Sequence, residues 1–506
     1  MNGRGGREGE ETYMKVSIDK SSKVPVYLQI ADQIKAQIIS GALPRSSALP
    51  SERALAQILD VHRNTVVKAY GELKSDAWIE SRQGVGYLVA SASTEKEPVG
   101  ESGEGVQMGR VNWVNEVADK YLDMEKTFDD LFQRFTDESH FSLGSGIASR
   151  EVYSSERVAH DIAGLLTGSG PSQYFFSPYK GDRFLRQKLA SFLGTKGVKA
   201  SSGEIQILSE TNQALDFIVT LLVKPGDSVV MEEPVHPDMY RVMELAGARI
   251  LTVPVDEDGM NCDVLESLLA QTRPRLIFVN SSFHDPTGCI LSLGRRKKLV
   301  ELSSRYRIPI VEEDAASELV YDGDKLPPIK AFDTTGNVIY IYSFSLTFIP
   351  GLSLAFVTGN RDFVRALSYL VSVRLMASDW MTQKLLGMYL DDGSYYSSLA
   401  TFREIYSGNR DLVCQKLDAL AHLGVRYERP RGGVYVWCRL PDGVDSKHFI
   451  NRAYNMGVTL IPGHVFYPYK NGGRDYIRIN YSYESRERLA RGMDVLHKAL
   501  EEELEE

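Results

Sequence analysis

Two sets of residues in this chain have types and spacing suited to chemistry. Near the N-terminus, "SERALAQILDVHRNTVVKAYGELK" places Arg53 inside one helix start and Arg63, Asn64, Thr65 and Lys68 along the first turns of the next. Val66, Tyr70 and Leu73 fall at i, i+4 and i+7 and claim the inner face of that second segment, leaving the cations and the amide free to face a groove. A single arginine so placed is ordinarily a solvated surface charge, but two at consecutive helix starts argue for a shared anionic partner. Far along the chain, Arg478 stands mid-strand in "YIRINYS", where an arginine needs an anionic partner to be tolerated.

The elements that must position the first set are legible around it. "VPVYLQIADQIKAQIISGALP" carries Tyr27, Ile30, Ile34 and Ile38 at helical spacing and stops at Gly41 and Pro44. Ser51, just after Pro50, is an N-cap for the next helix, and the break around Asp60, Val61 and His62 has helix-turn-helix spacing. "WIESRQGVGYLVA" then reads as two short strands around Gly84 and Gly86, a wing. Residues 21–90 carry eight Lys and Arg against six Asp and Glu, although the whole chain has a net charge of −9. Positive charge is thus gathered where phosphates would be met.

At "LPSERALA", "RNTVVKAY" and "GVGYLV" the sequence resembles the winged-helix domain of GntR-type bacterial transcription regulators. The resemblance implies double-stranded operator DNA as partner, with contacts from Arg53, Arg63, Asn64, Thr65 and Lys68 and from a wing tip at Gln83 and Gly84. His62 departs from the small capping residue usual in that family, which implies weaker capping or an altered base preference.

Residues 91–140 read as a linker, first flexible through "ASASTEKEPVGESGEGVQMGR" and then helical through "NWVNEVADKYLDMEKTFDDLFQRF". From about residue 141 strand-like and helix-like segments alternate, as in an α/β domain with a mainly parallel sheet. The order of "IQILSETNQALDFIVTLLV", "SVVMEEPVHPDMY", "RLIFVNSSFHDPTG", "IPIVEEDAASELVYD" and "VIYIYSFSLTFIPGLSLAFV" resembles the fold-type I aminotransferases, and its fusion to a GntR-like head resembles the MocR-type regulators. The resemblance implies an aminotransferase-like effector and dimerisation domain over residues 141–500, with a smaller α+β subdomain at about 375–500, and a homodimer.

It also implies pyridoxal phosphate, whose site needs an amine for an imine, an acid against the pyridine nitrogen, a flat group over the ring and donors for the phosphate. Here the family lysine aligns with Leu346, the phosphate-binding arginine with Ser353, a phosphate-loop glycine with Glu210 ahead of Thr211 and Asn212, and the asparagine of Asn-Pro-Thr-Gly with Asp285. The tyrosine after the pyridine-facing acid becomes Ala315 or Ala316. Glu313 or Asp314 remains to face a pyridine, His236 to stack on a ring, Ser343 and Ser345 to donate to phosphate, and Arg478 to bind a substrate carboxylate. Covalent cofactor binding and transamination are therefore not expected, unless Lys180, Lys325 or Lys330 substitutes for the missing amine. The more acidic pocket favours a small amine or amino acid, its carboxylate meeting Arg478.

Three functions stay open: a ligand-sensing transcription regulator, a pyridoxal phosphate enzyme or sensor that also binds DNA, and a ligand-independent DNA-binding dimer. The first accounts best for an intact head on a body without its lysine. No apolar run is long enough to span a bilayer and "MNGRGGREGEE" lacks the apolar core of a signal peptide, so a cytoplasmic protein without membrane contact is expected. Cys262, Cys289, Cys414 and Cys438 are scattered without metal-ligand spacing, which gives no metal site.

Overall fold

The computed structural model describes residues 16–18, 25–39, 42–44, 47–75, 78–82, 86–90, 139–149, 151–168, 178–375, 379–469 and 472–505. The chain divides into two compact units, Met1–Arg110 and Val111–Glu506. The helix expected within residues 112–135, and the wing tip at Gln83 and Gly84, lie outside the described residues.

In the first unit, helices Val26–Ile39, Glu52–Ile58 and Arg63–Ser75 precede an antiparallel ribbon of β1 (Ile79–Arg82) and β2 (Gly86–Val89). Ser51 caps the second helix by accepting from the Ala54 amide at 3.2 Å. That helix closes at Leu59, and Asp60 takes a left-handed φ of 52° to start the turn. Ile30, Ile34, Leu55, Val66, Ala69, Tyr70 and Leu73 form the core. The i, i+4, i+7 face of the third helix is thereby buried, and Arg63, Asn64 and Lys68 stay exposed with Thr65 half-buried.

Among the described residues the second unit begins with the short strand β3 (Phe141–Ser142), and it is built on an eight-stranded sheet. Its strands are β4 (Ile205–Leu208), β5 (Ser228–Glu233), β6 (Arg249–Asp256), β7 (Gly259–Met260), β8 (Ile277–Asn280), β9 (Ile310–Asp314), β10 (Val338–Ser343) and β11 (Ala355–Thr358). They lie in the order β4-β11-β10-β9-β8-β5-β6-β7, with β10, β9, β8, β5 and β6 parallel. β8, β9, β10 and β11 are buried almost throughout, because helices cover both faces, and this explains the near-continuous apolar runs of β8, β10 and β11. β9, Ile-Val-Glu-Glu-Asp, carries three carboxylates into that interior. A second, four-stranded sheet contains Arg426–Tyr427, Tyr435–Arg439, Tyr476–Asn480 and Ile461–Pro462. Helices Ser446–Asn455 and Arg486–Leu504 accompany it, and no helix among the described residues is long and apolar enough to cross a membrane.

The segment from Tyr340 to Phe356 earns its place by packing. β10 ends at Ser343, a turn follows, and β11 returns antiparallel. Phe344, Leu346, Phe348 and Ile349 in the turn all enter the apolar core shared with Phe192, Tyr395 and Phe402. Upstream, Gly181 has φ of 93°, and a Cβ there would sit 2.6 Å from the Ile207 side chain on β4. Gly181→Ala is expected to lower unfolding stability by about 1–3 kcal/mol through both backbone strain and overpacking; urea denaturation checks this, and an unchanged midpoint would refute it.

Candidate functional site

The exposed face of the first unit is organised by one carboxylate. Glu52, at the start of its helix, receives the Arg63 guanidinium on Oε2, from Nε at 3.2 Å and Nη2 at 2.8 Å, while the Tyr87 hydroxyl of β2 donates to Oε1 at 3.0 Å. The Arg63 bond is the main reason the Glu52 carboxyl lies below its ordinary range. Arg63 is thus held in place by an acid eleven residues upstream, tying the two helix starts to the ribbon. Arg53 is exposed beside them. His62 turns out to supply a cap: its Nδ1, unprotonated, accepts from the Asn64 amide at 3.2 Å. The sequence-based expectation of weakened capping is corrected by this ring acceptor.

In the second unit a cavity of about 170 Å³ opens where the parallel strands end. Five strand ends contribute, as expected for an α/β sheet whose crossovers leave a crevice at the carboxyl edge. β4 leads to Thr211, β5 to Val235 and His236, β8 to Asn280, Ser282 and Asp285, β9 to Glu313, and β10 to Ser345 and Leu346. Gly146 and Tyr435, the latter on the smaller sheet, close the other side.

The charges of this site are paired in an unexpected way. Arg478 Nη1 donates to both oxygens of Asp285 at 2.7 Å, and Nη2 donates to the Gly144 carbonyl at 2.9 Å. Its guanidinium also lies 4.3 Å from the Tyr435 ring centroid and 5.2 Å from that of Phe466. Burial opposes ionisation of Asp285, yet Arg478 and His236 nearby hold its carboxyl below the usual range. His236 Nε2 stands 3.9 Å from Asp285, and its Nδ1 accepts from the Asp238 amide. Arg478, expected to meet a ligand carboxylate, is thus ion-paired with a carboxylate of the chain itself.

Of the two candidate acids on β9, Glu313 faces the cavity and Asp314 does not. Asp314 is fully buried and accepts from the Tyr340 hydroxyl at 2.6 Å and the Ser317 amide at 2.9 Å, with Lys196 Nζ 3.7 Å away. Glu313 receives Asn280 Nδ2. Burial, then the neighbouring Asp314 and Asp285, push its carboxyl up to about 8.

Thr211, His236, Asp285, Glu313 and Ser345 thus come together on one wall with Leu346, whereas Asn212, Asp314, Ser343, Ser353 and Arg478 stand off it. Asn212 donates to Asp238 at 3.3 Å, and Ser343 donates to Ser345 at 3.1 Å. Glu210 precedes helix Thr211–Leu222 as an extended N-cap residue without a side-chain capping bond. Ala315 and Ala316 both line the cavity. Lys180, Lys325 and Lys330 do not; they bond the Gly203 carbonyl, Glu318 and Asp333 respectively. Asn280 and Tyr435 were missed in the sequence. The position of Asn280 at the end of "RLIFVN" was an available signal, but nothing local marks Tyr435.

Residues 140–496 match the family model "Aminotransferase class I and II", and residues 26–89 match "Bacterial regulatory proteins, gntR family". The HTH-type transcriptional regulator YdfD of Bacillus subtilis (strain 168) is 28% identical over 94% of this chain and 96% of its own length. The probable rhizopine catabolism regulatory protein MocR of Rhizobium meliloti is 27% identical over 88% of each chain. The 2-aminoadipate transaminase of Thermus thermophilus is 30% identical over 71% of this chain and 89% of its own. Among solved structures, Pyrococcus horikoshii kynurenine aminotransferase superposes with a TM-score of 0.73 at 27% identity, covering 78% of this chain and 98% of that one.

Glu313 makes stability depend on pH with a definite sign. In the folded chain it keeps its proton to about pH 8, whereas its ordinary value is 4.5. Its contribution is complete below the lower value and is lost as pH rises through the higher one. Denaturant titrations across that window are expected to show stability falling with rising pH, and a shallower slope in Glu313→Gln; equal slopes in both proteins would remove Glu313 as the cause. Asp285, shifted downward, acts only at the acid end and leaves this window untouched.

Proposed function

Because the chain belongs to the class I and II aminotransferase family and carries a gntR-family head, the arrangement of the MocR-type regulators, we propose that it is a transcription regulator whose body has lost pyridoxal phosphate chemistry and senses a small amine. The observation that carries this reading is Leu346. In this reading it takes the place of the family's imine-forming lysine; it lines the cavity at 5% exposure, and the lining contains no lysine or arginine. A leucine side chain has no lone pair to attack a carbonyl.

The remaining residues do not fit the cofactor. A phosphate seated at the start of helix Thr211–Leu222 meets the Glu210 carboxylate instead of a glycine, with Thr211 and Ser345 as its hydroxyl donors and Ser353 in place of the family arginine. The ring's phenolic oxygen would meet Asp285, an ionised carboxylate where the family has a neutral amide. The acid left for the pyridine nitrogen is Glu313, which retains its own proton near neutrality. No catalytic role follows for these side chains. Their common property is an acidic wall, which favours a cationic ligand.

In this reading two bodies pair, as in the family, and hold two heads over paired DNA half-sites; a ligand in the cavity shifts the balance of arrangements and so the affinity for the operator. Arg63, pre-oriented by Glu52, with Arg53, Asn64, Thr65 and Lys68, supplies the contacts, joined by the wing tip at Gln83 and Gly84.

Two measurements on the full chain test this. Pyridoxal phosphate followed by borohydride is expected to leave no reduced adduct by mass spectrometry and no retained absorbance; a stoichiometric adduct on one lysine would restore the enzyme reading. On operator fragments selected by the parent protein, Arg63→Ala is expected to weaken binding by about 1–3 kcal/mol and relax preference at one base position, as loss of a base contact does. Uniform weakening at every sequence would instead make Arg63 a phosphate contact.

A further inference from the structure

The cavity distinguishes between ligand classes more sharply than its acidity alone implies. Asp285 and Glu313 carry the acid of its wall, and the guanidinium that could have received a ligand carboxylate is bound on both Nη nitrogens by Asp285 and Gly144. A carboxylate entering here would be desolvated beside two acids, with no lysine or arginine in the lining and with its one titratable base, His236, already 3.9 Å from Asp285. Apolar side chains complete the lining: Val235, Met239, Phe278 and Leu346. At about 170 Å³ the space is close to that of an apolar protein cavity of about 150 Å³ known to take up benzene.

We propose that the cavity takes a compact monoamine that lacks a carboxylate, its ring or short alkyl body against Leu346 and Phe278 and its ammonium at Glu313 beside Asp285. The inference rests on the reading of the body as a sensor without pyridoxal phosphate chemistry, and it narrows the ligand from amines and amino acids to amines alone.

Protons must balance in such a complex. Glu313 is flanked on its own strand by Glu312 and Asp314, and it faces Asn280 from β8 and Asp285 beyond β8, with Glu232 of β5 coupled to it. Burial among these acids keeps it protonated at pH 7. When an ammonium arrives, the Glu313 O–H bond breaks, the carboxylate stays as the partner of the ammonium, and the proton leaves to solvent. Amine binding therefore releases close to one proton.

Titration calorimetry of the full-length protein at pH 7, with phenethylamine and with L-phenylalanine, tests this directly. The two probes share a ring and an ammonium and differ by the carboxylate. Phenethylamine is expected to bind at least about a hundredfold more tightly, the cost of an unpaired charge in such a site. Measured in buffers of different ionisation heat, its binding should release about one proton. Equal affinities, tighter phenylalanine binding or no binding of either probe overturns the proposal, and amine binding without proton release overturns the assignment of Glu313.

Asp285→Asn provides a second arm, its fold checked by circular dichroism. Freeing Arg478 is expected to shift the preference toward phenylalanine by about tenfold or more; an unchanged preference overturns the role given to the ion pair. Operator binding and the borohydride assay on the same preparation keep the outcomes apart. If both hold while the amine preference fails, the regulator reading survives and only the ligand class falls.

Discussion

The Asp285–Arg478 ion pair is the constraint around which the body is arranged. Arg478 lies on the smaller sheet and Asp285 in the segment after β8 of the larger one, so the pair crosses the cleft between the two sheets. Two charges out of water are costly, and the arrangement is tolerable because both Asp285 oxygens, the Gly144 carbonyl and two aromatic faces surround the guanidinium. Removing either partner alone would strand the other. Both Nη nitrogens of the arginine find acceptors within the chain, while its buried Nε has none.

The same constraint divides the buried acids at the strand ends. Glu312 is satisfied by the Ser281 hydroxyl and by the Ile329 and Lys330 amides at 2.6, 2.7 and 2.8 Å. Asp314 has Tyr340, Ser317 and Lys196. Glu232 accepts from the Asn280 amide, while its neighbour His284, 3.6 Å away, is driven down to about 4 by burial and stays neutral. Glu313 has one amide donor and an open cavity. Four carboxyls close to one another in space thus differ in their donors, and of the two with a single donor, Glu232 and Glu313, it is Glu313 that lines the cavity.

The head uses charge in a related way at its surface. The Arg63 side chain is half exposed, so its bonds to Glu52 contribute little to stability. Their effect is orientation: a long cationic side chain has much rotamer entropy to lose on meeting DNA, and part of that loss is incurred in the free protein. Tyr87 connects the same carboxylate to the ribbon, and its ring packs edge-on at 4.8 Å against Tyr70 in the core.

Much of this was legible in the residues themselves. Helical spacing of Ile30, Ile34, Val66, Tyr70 and Leu73 and the cap at Ser51 specified the three helices, since burial of one face and satisfaction of a helix start are local properties. The alternation of strands and helices was enough to indicate an α/β body with a mainly parallel sheet. What remained hidden was pairing. The sequence showed that Arg478 needed an anion and that Asp285 was an added carboxylate, but 193 residues separate them, and only closure of the two sheets makes them partners. Likewise, which of Glu313 and Asp314 faces the cavity depends on which side of β9 is covered by Lys196 and Tyr340, an outcome of packing between distant elements. The ring of Tyr435 enters the site for the same reason. Sequence by itself determined the elements and the chemical inventory, because those follow from neighbours along the chain; the tertiary structure alone decided which charges cancel, because electrostatic energy depends on separation in space and on the donors that burial leaves within reach.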